Sequence, residues 1–573
     1  MIIDLYPEKA QYLTGEPVTV IAELDSEYGD TKSTGYRAIL KVTNAERLMS
    51  LYEKILTSAE IKDRRFVFSI PGINTEFGGF GADVSVFQGD NCVQTFSTAF
   101  DVVSDSSRAI RYGFLSDFDT PDSENSRDVE SLRKFHINMV QYYDWSYRHD
   151  HFLAPTDVYE DMMGRRVDVN TVRSKIKACR GFGMKSIGYG AVYAASKQFY
   201  EQHPDWGLYT GAGDPLVFID AFYIMNISRR CPWHDHIIDQ YRLALSEIGF
   251  DGIHMDTYGF PKTAVSRYGG TNEILYMEDQ YPKLIEDARA SLSEVRSDAR
   301  LIFNNVGNWP VRSVADSPQE AIYIEVWSPY DRYSHLKQII ADAKASASVP
   351  KPVILAAYLE PFRKDSPERA ENSAFILTAA IASNGAYHLL LGEENGVLTQ
   401  GYYVDHSFLS ESQVRRMRSY YDFIVRYMNI LYDETLRDVS MTHIGWDNTE
   451  YACVGKEWSA YGEPDKIWLT IRENRSMKVI SMVNLCGCRD DFWNTGKDTP
   501  VSQTEVEIRV QLDRPVESVF LASPDENMGV PTELPYTIEK TDRGNQARVI
   551  IPKITIWSTL CIRLCEEETK HAP

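Results

Sequence analysis

Three patterns of hydrophobic and polar positions follow one another along the chain. Up to residue 108, short runs rich in β-branched and aromatic residues are separated by turn residues, a pattern typical of antiparallel strands. We therefore predict that residues 1–108 form a small immunoglobulin-like β-sandwich. The runs that carry this prediction are 18–24, 38–44, 66–72 and 83–88.

From Ile110 onwards, short apolar runs alternate with longer amphipathic segments. Eight strand-then-helix units in series predict a central (β/α)8 TIM barrel over residues 109–435. A doubly wound open sheet is the alternative, but no GxGxxG or GxxxxGK[ST] loop follows an early strand, which disfavours a nucleotide-binding fold. The predicted strands lie in 110–118, 137–145, 185–193, 251–259, 301–307, 321–327, 352–358 and 385–393.

A last amphipathic helix is predicted over 410–432, after which β-rich runs return. We predict a C-terminal antiparallel β-sandwich over residues 436–573. The fold class is therefore multidomain, with a TIM barrel between two β-sandwiches. A chain of 573 residues is also too long for a single hydrophobic core.

Charge and composition narrow the range of partners. The net charge of −22 disfavours nucleic acid and anionic membranes, and no apolar run approaches the ~20 residues of a membrane span. The first residues lack the pattern of a signal peptide, so we expect either a cytoplasmic protein or one whose export signal is missing from this sequence. Eight scattered Cys slightly favour a reducing compartment.

Two carboxylates stand where a barrel carries its chemistry, at the carboxyl ends of predicted strands. Asp256 closes the fourth run, in GFDGIHMDTYG, and Glu325 lies in the sixth run, AIYIEVW. Strands two apart face each other across the mouth, which brings two carboxyls to the ~5–5.5 Å that a retaining glycosidase requires. Apolar neighbours around Glu325 favour a protonated acid, and Asp256 is left as the ionised nucleophile. The alternative is a helix N-cap at Asp256 and an ordinary salt bridge at Glu325.

Several further polar and aromatic residues at strand ends are candidates for binding a sugar. Carboxylates and amides would bond hydroxyls, and flat rings would stack on pyranose rings. A network at the barrel rim and core packing would explain the same residues without a ligand. The predicted substrate-binding residues are Asp117, Tyr143, Asp144, Tyr189, His254, Tyr258, Asn305, Trp327 and Glu393.

One long segment and two alternating histidines also require an interpretation. The long segment 194–232, with several aromatic residues including Phe222, is expected to form a wall of the cleft. His149 and His151 alternate as metal ligands can, but no acid or Cys stands at a matching spacing. We interpret them as loop residues and predict neither a metal nor a cofactor.

Five stretches together resemble glycoside hydrolase family 66, the dextranases and cycloisomaltooligosaccharide glucanotransferases. The resemblance implies a retaining endo-attack on the α-1,6-linked glucan dextran, yielding isomaltooligosaccharides, with the nucleophile at Asp256 and the acid/base at Glu325. It also implies an extracellular location. The stretches are YGFLSDF (112–118), INMVQYYDWSYRHD (137–150), GFDGIHMDTYG (249–259), IYIEVWSPY (322–330) and GEENGVLTQGYYVDH (392–406).

Several functions are compatible with these motifs. Cyclising members of the family carry an inserted carbohydrate-binding domain late in the barrel region, whereas here only about twenty residues separate the eighth run from the final helix. This favours a hydrolase over a glucanotransferase. An exo-acting α-galactosidase or α-glucosidase with a closed pocket would use a similar barrel, and a non-catalytic glucan-binding protein could use the same scaffold.

Overall fold

The computed structural model describes residues 2–25, 35–123 and 125–565. The chain is multidomain and rich in sheet. It opens with a three-stranded antiparallel sheet and a five-stranded sheet that is antiparallel except for the short strand Tyr12–Leu13. The two sheets share one apolar core. The main strands are Ile2–Pro7, Val18–Leu24, Tyr36–Asn44, Arg47–Ile55, Arg65–Ile70, Phe77–Gln88 and Asn91–Val103.

A curled sheet of eight parallel strands follows, and its pairings run in chain order. The eighth strand, Tyr387–Leu389, pairs with the seventh and continues as Leu391–Gly392, where Gly392 pairs with Phe114 of the first strand. The pairings therefore return to their starting strand. The first seven strands are Tyr112–Leu115, Met139–Tyr142, Lys185–Ala191, Gly252–Asp256, Arg300–Val306, Ile322–Glu325 and Val353–Ala356.

Helices connect these parallel strands on the outside. Only the link between the fifth and sixth strands is short, with a single helical turn at Val311–Val314. Most residues of the eight strands are buried on both sides, which explains their near-continuous apolar runs. The main helices are Arg127–Lys134, Val169–Gly181, Trp233–Leu243, Tyr281–Val295, Tyr333–Ser346, Pro367–Ser383 and Glu411–Arg426.

The last long helix, Glu411–Arg426, joins the parallel sheet to the N-terminal sheets, and a single turn at Met428–Leu431 follows it. It begins at a capping box, in which Ser410 and Gln413 satisfy each other's free backbone N–H groups. At its other end, the buried Arg426 donates to both carboxylate oxygens of Asp83, at 2.8 and 2.7 Å. Gly79 and Gly81 allow this approach, since a Cβ at either position would overlap Val425 or Arg426.

The C-terminal part forms a seven-stranded and a four-stranded sheet around a separate apolar core. Within the described residues, no helix combines the length and apolar character that a bilayer crossing requires. The longer strands are Ile467–Glu473, Met477–Asn484, Gln503–Leu512, Val516–Ala522, Tyr536–Thr541, Gly544–Ile554 and Trp557–Leu564.

Candidate active site

Asp256 and Glu325 end the fourth and sixth parallel strands, and the fifth strand places Asn304 between them. Because neighbouring parallel strands end at the same edge of a sheet, the three side chains meet there. Asn304 Nδ2 donates to Asp256 Oδ1 at 2.7 Å and to Glu325 Oε2 at 3.1 Å. The sum of these distances, 5.8 Å, is the upper limit for the separation of the two carboxylate oxygens.

A tyrosine hydroxyl supplies the second donor to each carboxylate. Tyr189, from the third strand, donates to Asp256 Oδ2 at 2.6 Å. Tyr358, just after the seventh strand, donates to Glu325 Oε1 at 2.7 Å. Burial raises the pKa of both phenols well above the usual range, so they remain donors at every physiological pH.

Burial also raises the pKa of the two acids. The low-polarity surroundings are the larger cause for Asp256, and the charge of Glu325 adds to them, so that the pKa of Asp256 rises to about 7. The pKa of Glu325 is raised by burial. Once Glu325 holds a proton, its repulsion of Asp256 disappears, and Asp256 ionises more easily. The pair therefore favours one proton and one negative charge near neutral pH.

The two acids lie in a cavity of about 490 Å³ at the carboxyl ends of the strands. Six of the nine predicted substrate-binding residues line it, and their chemistry is mixed: aromatic faces, one carboxylate and one imidazole. Tyr143 stacks on Tyr403 at 4.5 Å between ring centroids, which fixes one aromatic wall. The six residues are Tyr143, Asp144, Tyr189, His254, Tyr258 and Trp327.

The remaining three predicted residues do not line this cavity. Asn305 follows Asn304 in the strand, so its side chain points to the opposite face and donates to the carbonyl oxygen of Tyr323 at 2.8 Å. Glu393 turns back to accept from the backbone N–H of Ser116 at 2.9 Å. Asp117 is exposed and accepts from the N–H of Asp119.

His254 lies at the floor of the cavity as a buried neutral imidazole. Burial lowers the pKa of its ring to about 3, and Nδ1 lies 3.0 Å from the hydroxyl of Tyr112. The residue is therefore a hydrogen-bonded core histidine that also faces the cavity. No group of three or more potential metal-binding side chains occurs in the part of the chain that the structure describes.

His149, interpreted from the sequence as an ordinary loop residue, lines the cavity. The chain turns after the second strand at Asp144, whose φ is 48°, and returns so that His149 Nε2 lies 3.3 Å from Asp144 Oδ1. Its Nδ1 lies 3.4 Å from the hydroxyl of Tyr258, and its ring stacks on Phe222 at 4.9 Å. The sequence signals for this role are the nearby Asp144 and the position of His149 within the family-like stretch 137–150.

Two loops complete the lining, and sequence reasoning locates only part of them. The predicted cleft wall 194–232 contributes Phe218, Ile219 and Phe222. The segment after the eighth strand contributes Gly401, Tyr402 and Tyr403, which lie in the family-like stretch 392–406 but are not predicted individually. A Cβ at Gly401 would lie 3.3 Å from both Glu325 Oε1 and the ring of Trp327, so the backbone passes close over the acid.

Comparisons with known proteins agree with one another. A family model described as glycosyl hydrolase family 66 matches residues 7–561. A cycloisomaltooligosaccharide glucanotransferase from Niallia circulans is 21% identical, covering 98% of this chain and 71% of the relative. A dextranase from Streptococcus salivarius is 21% identical over 81% of this chain and 64% of its own length.

One solved structure is similar over nearly the whole chain. It is a cycloisomaltooligosaccharide glucanotransferase from Paenibacillus sp., complexed with cycloisomaltoheptaose. The TM-score is 0.87 at 20% identity, and the match covers 98% of this chain and 99% of that one. At this identity the likeness concerns the fold.

Proposed function

Because the chain belongs to glycosyl hydrolase family 66, we propose that it is a retaining endo-dextranase, which hydrolyses α-1,6-glucosidic linkages of dextran to isomaltooligosaccharides. Asp256 is the nucleophile and Glu325 the acid/base. No cofactor takes part in this proposal. The named relatives belong to the same family, one as a dextranase and one as a glucanotransferase.

The Asn304 bridge is the observation that carries the retaining mechanism. It limits the distance between the nearest bridged carboxylate oxygens to 5.8 Å. A retaining enzyme places its two carboxyls ~5–5.5 Å apart, whereas an inverting enzyme needs roughly 6.5–9.5 Å to admit a water molecule between the general-base carboxylate and the sugar. The bridge therefore supports direct attack by a carboxylate.

The reaction takes two steps with the same two side chains. In the first, the Asp256 carboxylate bonds to the anomeric carbon, the glycosidic C–O bond breaks, and Glu325 gives its proton to the departing oxygen. In the second, Glu325 takes a proton from a water molecule, whose oxygen bonds to the anomeric carbon. The bond between that carbon and Asp256 breaks, which frees the carboxylate. Tyr189, Tyr358 and Asn304 hold the two carboxyls in place through both steps.

The polar and aromatic lining is proposed to bind the glucan. Tyr143, Tyr258 and Trp327 offer flat faces to the sugar rings, as aromatic residues do with apolar ring surfaces. Asp144, with His149 at 3.3 Å, is placed to accept from sugar hydroxyls. His254 and Tyr189 close the floor.

We propose the domain architecture from the strand pairings and the separate apolar cores. The eight parallel strands, whose pairings return to the first strand, fit a (β/α)8 barrel over 109–435. The separate cores support an N-terminal immunoglobulin-like sandwich over 1–108 and a C-terminal sandwich over 436–573. Active sites of barrels lie at the carboxyl ends of the strands, which is where Asp256 and Glu325 stand.

A glucanotransferase is the second candidate, because two of the similar proteins bear that name. It would use the same residues, with a sugar hydroxyl instead of water in the second step. Against it, the alignment to the Niallia circulans relative runs over 710 positions, more than the 573 residues here. That relative therefore has insertions that this chain lacks, and only residues 393–410 separate the eighth strand from the last helix.

Product analysis tests the proposal. The protein is incubated with dextran, and products are separated and weighed by mass spectrometry, with the Asp256→Asn variant as the control for contaminating activity. Linear isomaltooligosaccharides of mixed length are expected. Cyclic products would favour the glucanotransferase, glucose alone would indicate an exo-acting enzyme, and no cleavage would reject dextran as the substrate.

A further inference from the structure

Exposed aromatic rings occur both at the cavity and in loops of the C-terminal part of the chain. Trp327, beside the acid Glu325, is 43% exposed at the cavity. Phe492 and Tyr461, both from the C-terminal part of the chain, are 36% and 47% exposed. Exposed aromatic rings that lie along one surface are common where a protein binds a partner or a ligand.

The segment from Trp327 to Arg332 connects the cavity to Phe492. It leaves the end of the sixth strand, and five residues of chain reach at most about 18 Å. The loop that contains Trp493, in the C-terminal part of the chain, fixes the path of this segment. Trp493 Nε1 donates to the carbonyl oxygen of Tyr330 at 2.6 Å, and the backbone N–H of Trp493 donates to the carbonyl oxygen of Asp331 at 3.0 Å. The segment is therefore held against the C-terminal sheets.

Arg332 and Phe492 form one platform at the end of this segment. The guanidinium of Arg332 lies 4.4 Å from the centroid of the Phe492 ring, and Arg332 also pairs with Asp491. Lys497 is buried and donates to the carbonyl oxygen of Phe492 at 2.6 Å, which holds the loop. The Phe492 ring and the half-exposed guanidinium that lies over it together offer an apolar surface and N–H donors, which suit the apolar face and the hydroxyls of a sugar.

Tyr461 precedes Gly462, whose backbone packs against the same segment. Tyr333 follows Arg332, and its N–H donates to the carbonyl oxygen of Asp491 at 3.0 Å. A Cβ at Gly462 would meet the Cβ of Tyr333 at 2.7 Å, so the backbone beside Tyr461 packs against this point. Tyr333 thus joins the loop of Phe492 to the loop of Tyr461.

The chemistry of the acid fixes which end of the substrate faces this surface. An acid must touch the oxygen of the departing chain, so the departing part of the glucan lies on the side of Glu325 and Trp327. Resting on the function proposed above, we propose that Phe492, Arg332 and Tyr461 form a secondary binding track for the departing portion of a long α-1,6-glucan. The C-terminal sheets therefore take part in substrate binding.

The test compares a long and a short substrate in the full-length protein. Phe492→Ala and Tyr461→Ala, alone and combined, are assayed on high-molecular-mass dextran and on isomaltotriose, whose departing part has one or two glucosyl units. Stacking worth about 1 kcal/mol per ring corresponds to a rise of about five-fold in KM for dextran per substitution. On isomaltotriose, kcat and KM are expected to change less than two-fold.

Matched variants separate binding from packing. Tyr536→Ala removes a similarly exposed ring, 39% exposed, from the four-stranded sheet and should leave both substrates unaffected. Phe492→Tyr should keep the KM for dextran. An unchanged KM for dextran in the double variant, or an equal rise on both substrates, would overturn the track.

A direct binding measurement keeps this inference separate from the proposed function. Native electrophoresis in gels containing dextran is run in the Glu325→Gln background, with and without the double substitution. Stronger retardation of the protein with both rings intact supports the track, and equal retardation or none rejects it. If the wild type fails to cleave dextran, the proposed function is rejected. The gel measurement still decides whether these rings bind glucan.

Discussion

At the scale of single residues, Asp256 and Glu325 share surroundings that favour one negative charge over two. Each accepts from two neutral donors, and burial raises the pKa of both. In the proposed mechanism, the proton is needed on Glu325 and the charge on Asp256. Their roles therefore follow from which of the two faces the departing oxygen, while the donors stabilise either arrangement.

Asp256→Asn removes the proposed nucleophile and leaves a side chain of the same shape. We expect kcat on dextran to fall by several orders of magnitude, because no covalent intermediate forms. The measurement is reducing-sugar release, with circular dichroism as the control for folding. A variant that keeps more than a tenth of wild-type activity would contradict the nucleophile assignment.

The same variant should be more stable than the wild type at alkaline pH. A carboxyl whose pKa is raised by folding contributes stability at low pH that is lost as the pH rises towards the folded value, here from 3.8 to about 7. At about 1.4 kcal/mol per pH unit, the upper limit is about 4 kcal/mol. Thermal unfolding at pH 8 should show a higher Tm for Asp256→Asn, and the difference should vanish near pH 4.

Glu325→Gln tests the acid through the pH profile. In the wild type, the proposed mechanism requires activity to fall at low pH, when Asp256 is protonated, and at high pH, when Glu325 loses its proton. The pH profile of activity is therefore bell-shaped. With an aryl isomaltoside that has a good leaving group, the variant should keep the acid limb and lose the basic limb. Azide should partly restore turnover of the glycosyl-enzyme.

Two outcomes would move the acid role to another group. One is a basic limb that persists in Glu325→Gln, and the other is the absence of rescue by either azide or a good leaving group.

At the scale of elements, we expect the fifth strand to separate catalysis from stability in two adjacent residues. Asn304 points to the carboxylates, and Asn305 points away and bonds the backbone of the sixth strand. We expect Asn304→Ala to lower kcat about 100-fold, the usual loss for one donor to a reacting charge, with little change in unfolding free energy.

Asn305→Ala is the matched control. It should lower the free energy of unfolding by about 1–3 kcal/mol, because the buried carbonyl oxygen of Tyr323 loses its donor, while kcat stays close to wild type. Both quantities are measured by urea unfolding and steady-state kinetics. If Asn304→Ala and Asn305→Ala change kcat and the free energy of unfolding alike, the alternation of side chains along the strand does not separate catalysis from stability.

The sequence predicts the elements better than the surface of the site. Parallel strands carry long apolar runs and end on polar residues, so the pattern alone locates Asp256 and Glu325. His149, Phe218 and Tyr403 reach the cavity from loops, whose paths depend on contacts between residues distant in the chain. Glu393 is a predicted site residue that does not line the cavity. It ends a predicted strand, but its carboxylate accepts from the backbone N–H of Ser116.

At the scale of the whole molecule, a buried ion pair joins the last helix to the N-terminal sheets. Arg426 bonds both oxygens of Asp83 and also the hydroxyls of Ser97 and Thr43. Arg426→Met leaves Asp83 buried without its charged partner, which costs about 3–5 kcal/mol. We expect a clear loss of stability in urea unfolding with kcat for dextran retained at low temperature.

The double variant Arg426→Met with Asp83→Asn should recover part of the lost stability, since no buried charge at this junction then lacks a partner. Unchanged stability in Arg426→Met would show that the pair contributes nothing to the junction.

The close contact at Gly79 and Gly81 bears on how such proteins can be recombined. With Val425 and Arg426 filling the space where a Cβ would stand, the N-terminal sheets and the final helix must be inherited as one unit. A chimaera with its crossover between residues 103 and 112 would pair a foreign sheet with this helix, and a non-glycine residue would meet the helix backbone at position 79 or the Arg426 guanidinium at position 81. Productive exchanges in this family should therefore transfer both segments together, although more than 300 residues separate them in the chain.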